Sequence, residues 1–170
     1  MIRFKKAESE DCRTLAETRK RVWEATYRGI YPDEMIDRYD PEAKALQDRV
    51  TIEDEKQTVY LLFDEDDCVG YYCYGPSLHG SYKDFSLCLN ALYLLPPYQR
   101  QGYGTSIFSI LRHYARIWDI PKFFCSCNVK NLPAQAFYKK MGGVVGSIST
   151  GHENPAENQM YFEFYVGEHI

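Results

Sequence analysis

No apolar run in this sequence approaches the roughly 20 residues that a helix needs to cross a bilayer. The opening stretch Met1-Ile2-Arg3-Phe4-Lys5-Lys6 lacks the apolar core of a secretory signal. Both absences point to a cytoplasmic chain with no membrane partner. An excess of basic charge is missing as well. Twenty Lys and Arg stand against 24 Asp and Glu, a net charge of −4, and no basic cluster interrupts the pattern. A surface that tracks nucleic-acid phosphates is therefore not expected. Cys125-x-Cys127 has no second pair at zinc spacing, so no metal site is expected. The six cysteines of a cytoplasmic chain then read as reduced thiols. The acidic stretch 64–67 lacks the glycine and the distal glutamate of a calcium loop, which leaves a solvated hairpin tip. Internal repeats, linkers and low-complexity segments are absent too.

What is present is a globular composition. Of 170 residues, 45% are hydrophobic, 15% aromatic and 26% charged, with fifteen tyrosines. A chain of this length reads as one domain over residues 1–170, able to bury about 70% of its unfolded surface. Alternating residues 2–5 open with a strand. A helix follows from a start crowded with Glu8, Ser9, Glu10 and Asp11, where acidic residues and a serine cap suit the dipole. Its apolar face (Leu15, Ala16, Val22, Trp23) is broken at Arg19. Gly29 and Pro32 interrupt, a second helix starts at Pro32-Asp33-Glu34, and Pro41 divides it from a continuation through Leu46 and Val50.

Residues 58–63 and 68–74 form a hairpin, and a strand spans about 85–95. Ile107, Phe108, Leu111, Tyr114, Ala115 and Trp118 recur at helical spacing as a buried face. A strand over 121–127, a helix over 131–141 stopped by Gly142-Gly143, and a closing antiparallel pair at 144–149 and 159–166 complete the order β-α-α-β-β-β-α-β-α-β-β. This is an α+β pattern around a largely antiparallel sheet.

The chain is organised around Leu92-Tyr93-Leu94-Leu95-Pro96-Pro97-Tyr98-Gln99-Arg100-Gln101-Gly102-Tyr103-Gly104-Thr105. A β-favouring run stops at a double proline, a glycine-punctuated turn follows, and a helical pattern begins. The first amides of a helix have no partner within it and favour negative charge. Glycines at 102 and 104 remove side chains that would block an anion, and Arg100 adds a charge-assisted contact. The stretch reads as a pyrophosphate cradle. It is not a P-loop, since no lysine follows Gly104, and it lacks the third glycine of the dinucleotide fingerprint.

Gln99-x-x-Gly102-x-Gly104 resembles the acyl-CoA signature of the GNAT superfamily of N-acetyltransferases, and Asn131-x-x-Ala134-x-x-Phe137-Tyr138-x-x-x-Gly142 resembles its second characteristic block. The element order matches that fold over nearly the whole chain. The resemblance implies a mixed, largely antiparallel sheet of about seven strands flanked by about four helices. Two parallel central strands, one ending at Leu95 and one at 121–127, would splay apart to admit an acetyl-pantetheine arm. It implies acetyl-CoA as co-substrate and a primary amine as acceptor, with direct transfer in a ternary complex. In it the backbone of Leu92, Tyr93 and Leu94 matches the strand that pairs with pantetheine, and an N–H near Leu94 serves the thioester oxygen. Arg100, Gln101, Gly102, Tyr103, Gly104 and Thr105 match the pyrophosphate loop. Asn131 matches a pantetheine contact as well as a helix cap. Tyr138, two turns further along the same face, matches the general acid for the departing thiolate.

One part of the pattern is missing. Relatives often carry a glutamate early in the fourth strand or shortly before the motif asparagine, and Cys88 and Ser126 stand in those places. Neither is a good base at neutral pH. Glu24, Asp84, His79 and His152 are alternatives reached through water, among which the sequence does not choose. An acetyl-cysteine intermediate on Cys88 has no histidine placed nearby by sequence.

The acceptor is expected to be a small cationic amine or a peptide amine. It would be held between Trp23 and Asp40, where Trp23, Glu24 and Tyr27 lead a segment rich in carboxylates and aromatic faces. A CoA-binding sensor without catalysis and an acyl group other than acetyl remain the alternatives. The sequence leaves self-association as a homodimer open.

Overall fold

A computed structural model describes residues 1–150 and 152–167. Among them, seven strands form one sheet: β1 (Arg3–Lys6), β2 (Thr58–Asp64), β3 (Asp67–Gly75), β4 (Cys88–Leu94), β5 (Lys122–Asn128), β6 (Val144–Ile148) and β7 (Gln159–Tyr165). Five α-helices accompany them: α1 (Cys12–Tyr27), α2 (Asp33–Asp37), α3 (Pro41–Glu53), α4 (Tyr103–Ile117) and α5 (Leu132–Lys140). There are five and not four because the second helix ends after five residues as α2 and its continuation past Pro41 is a separate helix, α3. The Asp40 side chain accepts from the amides of Glu42 (2.9 Å) and Ala43 (3.3 Å), and Pro41 then opens α3 as a new helix.

The sheet order is β1-β2-β3-β4-β5-β7-β6, antiparallel throughout except for the central pair β4 and β5. Side chains alternate across a sheet, so Tyr71 and Tyr74 face opposite sides. Tyr71 meets Arg19 of α1, and Tyr74 packs on Tyr114 of α4 at 4.9 Å. Helices α1 and α4 therefore cover opposite faces. The core under α4 and α5 is aromatic, with Phe108, Phe123, Phe162 and Phe164 fully buried around Tyr138.

The central pair is unlike its neighbours. β4 is laddered to β3 along its length, and β5 to β7 from Lys122↔Tyr165 to Asn128↔Gln159. Between β4 and β5 a single register pair remains, Cys88↔Phe124, beside one backbone bond from Phe124 N–H to the Leu87 carbonyl at 3.2 Å. Beyond that point the strands diverge. A bulge helps to turn β4: Ala91 faces Cys73 and Leu89 faces Tyr74, leaving Asn90 unmatched. The Asn90 amide donates to Gln57 Oε1 (3.1 Å) and the Pro76 carbonyl (3.0 Å), and its Oδ1 accepts from Leu78 N–H (3.0 Å), which fixes the bulge. The splayed parallel pair expected from the resemblance is thus present.

Three local expectations need correction. The strand expected from 85 begins at Cys88, because residues 82–85 turn, with Phe85 N–H donating to the Tyr82 carbonyl and Lys83 in a left-handed conformation. Trp118 is 65% exposed and stands just past the end of α4, so it is not part of the buried face. Ser9 does not cap the first helix. Its hydroxyl donates to Glu53, while the Asp11 carboxylate accepts from Glu8 N–H (2.9 Å) and closes a capping box.

Candidate functional site

The turn between β4 and α4 is laced by its own side chains. Leu95 N–H donates to the Val69 carbonyl, and Pro96–Tyr98 makes one tight turn. Gln99 Nε2 reaches the Leu94 carbonyl (2.8 Å) and Gln101 Nε2 the Pro97 carbonyl (2.6 Å). The two glutamine side chains therefore hold the loop. Gly102, left-handed at φ +90°, is the cap residue of α4, and no side chain caps the first amides of that helix. A side chain at this φ is strained. Arg100 is left-handed as well (φ +64°) and exposed, and Thr105 is exposed in the first helical turn.

Gly104 has a second reason besides the one its sequence position suggests. A Cβ there would lie 2.8 Å from the Phe137 ring of α5, so glycine lets α4 and α5 pack together. We expect Gly104→Ala to cost about 1–3 kcal/mol in urea unfolding, as overpacking does. A loss below a few tenths would show that Phe137 yields freely.

Leu92, Tyr93 and Leu94 are half-buried on the β4 edge that turns away from β5. After β5, Asn131 caps α5, its Oδ1 accepting from Ala134 N–H at 3.2 Å. Tyr138 is buried against Phe108, Phe137 and Phe162. Burial pushes its phenol well up, and the nearby thiols of Cys125 and Cys127 and the Tyr93 hydroxyl add to the shift. A phenol with no opposite charge beside it stays protonated at neutral pH.

On the opposite face the segment expected to meet the acceptor forms an aromatic cluster. Trp23 stacks on Tyr31 (5.9 Å) and packs edge-on against Tyr27 (5.1 Å). The Tyr27 and Tyr93 hydroxyls share a hydrogen bond of 2.7 Å, and burial raises both phenols. The side chain of Tyr93 thus joins α1 to the gap. The carboxylates of this segment are mostly engaged elsewhere. Asp33 and Asp37 bind Arg28, Glu34 lies 3.7 Å from Arg38, and Asp40 caps α3. Glu24 is exposed, with no side-chain partner among the described residues. The structure therefore joins Trp23 and Tyr27 in one cluster that reaches β4 through Tyr93, and leaves Glu24 outside it.

Sequence reading missed Asn128, a fully buried residue at the end of β5. Its Nδ2 donates to the Tyr31 hydroxyl (3.1 Å) and the Ala156 carbonyl, and its Oδ1 accepts from Lys130 N–H. It ties the aromatic cluster to the loop before β7. The only signal for it was a polar residue closing an apolar strand.

Cys88 and Ser126 come together in one pocket where β4 meets β5, shared with Ser77, His79, Tyr82 and Tyr161. Burial pushes the Cys88 thiol up to about 12, which removes it as a base or nucleophile at neutral pH. All six cysteines are buried and unpaired. Among the described residues no helix is long and apolar enough to cross a membrane.

The model of the acetyltransferase (GNAT) family matches residues 16–143. No curated protein matches the chain. Among solved structures it is similar to the PaiA N-acetyltransferase from Thermoplasma acidophilum in complex with coenzyme A, at 20% identity and TM-score 0.73, with 97% of this chain and 99% of that chain covered. It is also similar to yncA from Salmonella typhimurium, solved with acetyl-CoA (16% identity, TM-score 0.69, 100% and 96% covered). A third likeness is to the ribosomal-protein-S18-alanine N-acetyltransferase from Escherichia coli (14% identity, TM-score 0.69, 99% and 96% covered). At these identities the likeness is one of fold.

Proposed function

We propose, from the premise that the chain belongs to the acetyltransferase (GNAT) family, that it transfers the acetyl group of acetyl-CoA directly to a primary amine in a ternary complex. The observation that carries this reading is the gap between β4 and β5, joined at one residue pair and lying beside a helix whose first amides no side chain caps. The gap fits a narrow arm and the helix start fits its phosphates.

In this reading the amides of Tyr103, Gly104 and Thr105, with Arg100, hold the pyrophosphate. The unladdered edge at Leu92–Leu94 pairs with the pantetheine arm, and Asn131 contacts it. Bound acetyl-CoA supplies an activated thioester whose sulfur leaves as a thiolate. Tyr138 keeps a proton available for that sulfur. Trp23, Glu24 and Tyr27 flank the acceptor, a small cationic amine or a peptide amine. The aromatic faces now carry that expectation, since four of the five carboxylates of the segment are committed locally. Action as one catalytic domain in the cytoplasm belongs to the same reading.

The test is release of free thiol from acetyl-CoA in the presence of polyamines, aminoglycosides, amino acids and short peptides. Stabilisation by acetyl-CoA is measured in parallel, where saturation at a hundred times Kd is worth about 2.7 kcal/mol. Release with at least one amine is expected. A thermal shift without release from any amine would instead make the chain a CoA sensor. Thr105→Glu sets a carboxylate in the first turn of α4. We expect it to remove most of the acetyl-CoA shift while leaving the unliganded melting temperature within a few degrees. An undiminished shift would place the phosphates elsewhere.

A further inference from the structure

A primary amine of the lysine type, with a pKa of about 10.4, is almost wholly protonated at neutral pH and must lose a proton before it can attack. The pocket at the closed end of the β4–β5 gap lies where Cys88 pairs with Phe124, and its lining contains few candidate proton acceptors. Cys88 is buried. The Tyr82 hydroxyl donates to Glu163 at 2.8 Å, and Tyr161 stacks on the Tyr82 ring at 4.6 Å.

Charged groups behind this wall are already paired. Glu163 binds Lys83 and accepts from the Tyr165 hydroxyl, and these contacts with Tyr82 hold its carboxyl below the usual range. Asp84 binds Lys122 at 2.5 Å, which holds its carboxyl down as well. His152, further away, has Nε2 engaged by the Ser149 hydroxyl at 2.8 Å. His79 differs from all of these. It lines the pocket and is exposed, and among the described residues its ring makes no hydrogen bond. Its backbone N–H is held by Ser77 Oγ at 3.3 Å, and the hydroxyls of Ser77, Ser81 and Ser126 line the same pocket. Histidine is the side chain that ordinarily takes up and releases protons between pH 5 and 8.

We infer that His79 is the general base that removes the proton from the acceptor ammonium. The assignment rests on the amine-transfer reading above. One ammonium proton passes to a ring nitrogen of His79, directly or through one water. The freed nitrogen lone pair forms the C–N bond to the acetyl carbon as the C–S bond breaks. The departing sulfur takes the Tyr138 proton, the second proton shed by nitrogen restores Tyr138, and His79 returns its proton to bulk water. Its exposure makes that last exchange fast.

The test uses the full chain, acetyl-CoA and n-butylamine as a bare primary amine, together with the best acceptor of the panel. His79→Ala should lower kcat at pH 7 at least tenfold and should remove the ionisation seen in the rise of kcat/KM with pH. Added imidazole should restore part of the rate, and His79→Gln should behave as His79→Ala. An unchanged acetyl-CoA thermal shift in both variants shows that they fold and bind. As a readout independent of turnover, the His79 ring signals in heteronuclear NMR should move when n-butylamine is added. Full activity with an unaltered pH profile in His79→Ala overturns the assignment, as does transfer of the whole effect to Glu24→Gln. If the unaltered chain binds acetyl-CoA and releases thiol with no amine, the amine-transfer reading itself has failed, and His79 falls with it.

Discussion

Asp48→Ala is expected to destabilise the fold by about 3–5 kcal/mol, the usual cost of leaving one member of a buried ion pair alone. Asp48 lies on α3 with its side chain 4% exposed, and its Oδ1 accepts from Arg19 Nη2 of α1 at 2.7 Å. Arg19 also donates through Nη1 to the Tyr71 hydroxyl (3.2 Å) and lies over the Tyr71 ring at 4.8 Å. Burial works against its charge, while Tyr71, Asp48 and Tyr39 outweigh that and raise its pKa. Both partners already carry an unsatisfied buried atom, Arg19 Nε and Asp48 Oδ2. The pair is held by geometry that has no reserve.

Removing the carboxylate leaves a guanidinium between α1, α3 and β3 with one hydroxyl to meet it. Measured against a total stability of about 5–15 kcal/mol for a domain, such a loss is a large fraction. Urea unfolding checks it. The double change Arg19→Met with Asp48→Leu should recover much of the loss, because neither charge is then buried. A single-mutant loss below about 1 kcal/mol would show that water reaches Arg19 and that the pair acts as a surface contact. Tyr71 packs on Tyr93 at 5.4 Å, so this variant should also loosen the Tyr27–Tyr93 pair beside the gap.

Arg19 illustrates how the sequence carries some features and hides others. Its place in an otherwise apolar helical face is visible as a break in the period, but its partner lies 29 positions away on another helix. Strands β2 and β3 are legible because they pair through a turn of two residues, where alternation and local turn chemistry agree. The β4–β5 gap is a missing ladder between strands far apart in the chain, and no local period encodes it. It became an expectation only through the family resemblance. Its physical basis includes the unmatched Asn90, whose side chain is fastened to Gln57, Pro76 and Leu78. The cradle glycines separate in the same way. Gly102 is required by the backbone turn itself, whereas Gly104 is required by Phe137 of a later helix. The Glu163 anchor of the pocket wall stands 80 residues from Lys83 and reads in sequence as an ordinary alternating strand position.

Tyr138→Phe is expected to lower kcat about a hundredfold while leaving acetyl-CoA affinity within a few-fold. The reason begins with burial. Tyr138 is buried against Phe108, Phe137 and Phe162 with 7% of its surface exposed, so its ring is fixed by packing and a phenylalanine fits the same space. The substitution therefore removes one hydroxyl and little else. That hydroxyl lies near the Cys125 and Cys127 thiols on β5 and near the Tyr93 hydroxyl on β4, the two strands that bound the gap. Burial holds its proton firmly at neutral pH, so in the proposed transfer it would act as a donor and never as a standing charge. An alkyl thiol near pKa 8.5 is a better acid than a phenol near 10, so the proton moves only as negative charge gathers on sulfur. A contribution of that timing is felt in the transition state and not in the ground state, and general acids of this kind give about 10²–10⁴ in rate. The measurement is kcat and the acetyl-CoA KM for both chains, with the urea midpoint as the control for packing. A thiol-activated acceptor assay in which acetyl-CoA is replaced by a thioester with a more acidic leaving group should narrow the difference, since a better leaving group needs less help. Equal rates for Tyr138→Phe and the unaltered chain, at equal stability, would leave Tyr138 a packing residue and turn the reading toward a CoA-binding sensor.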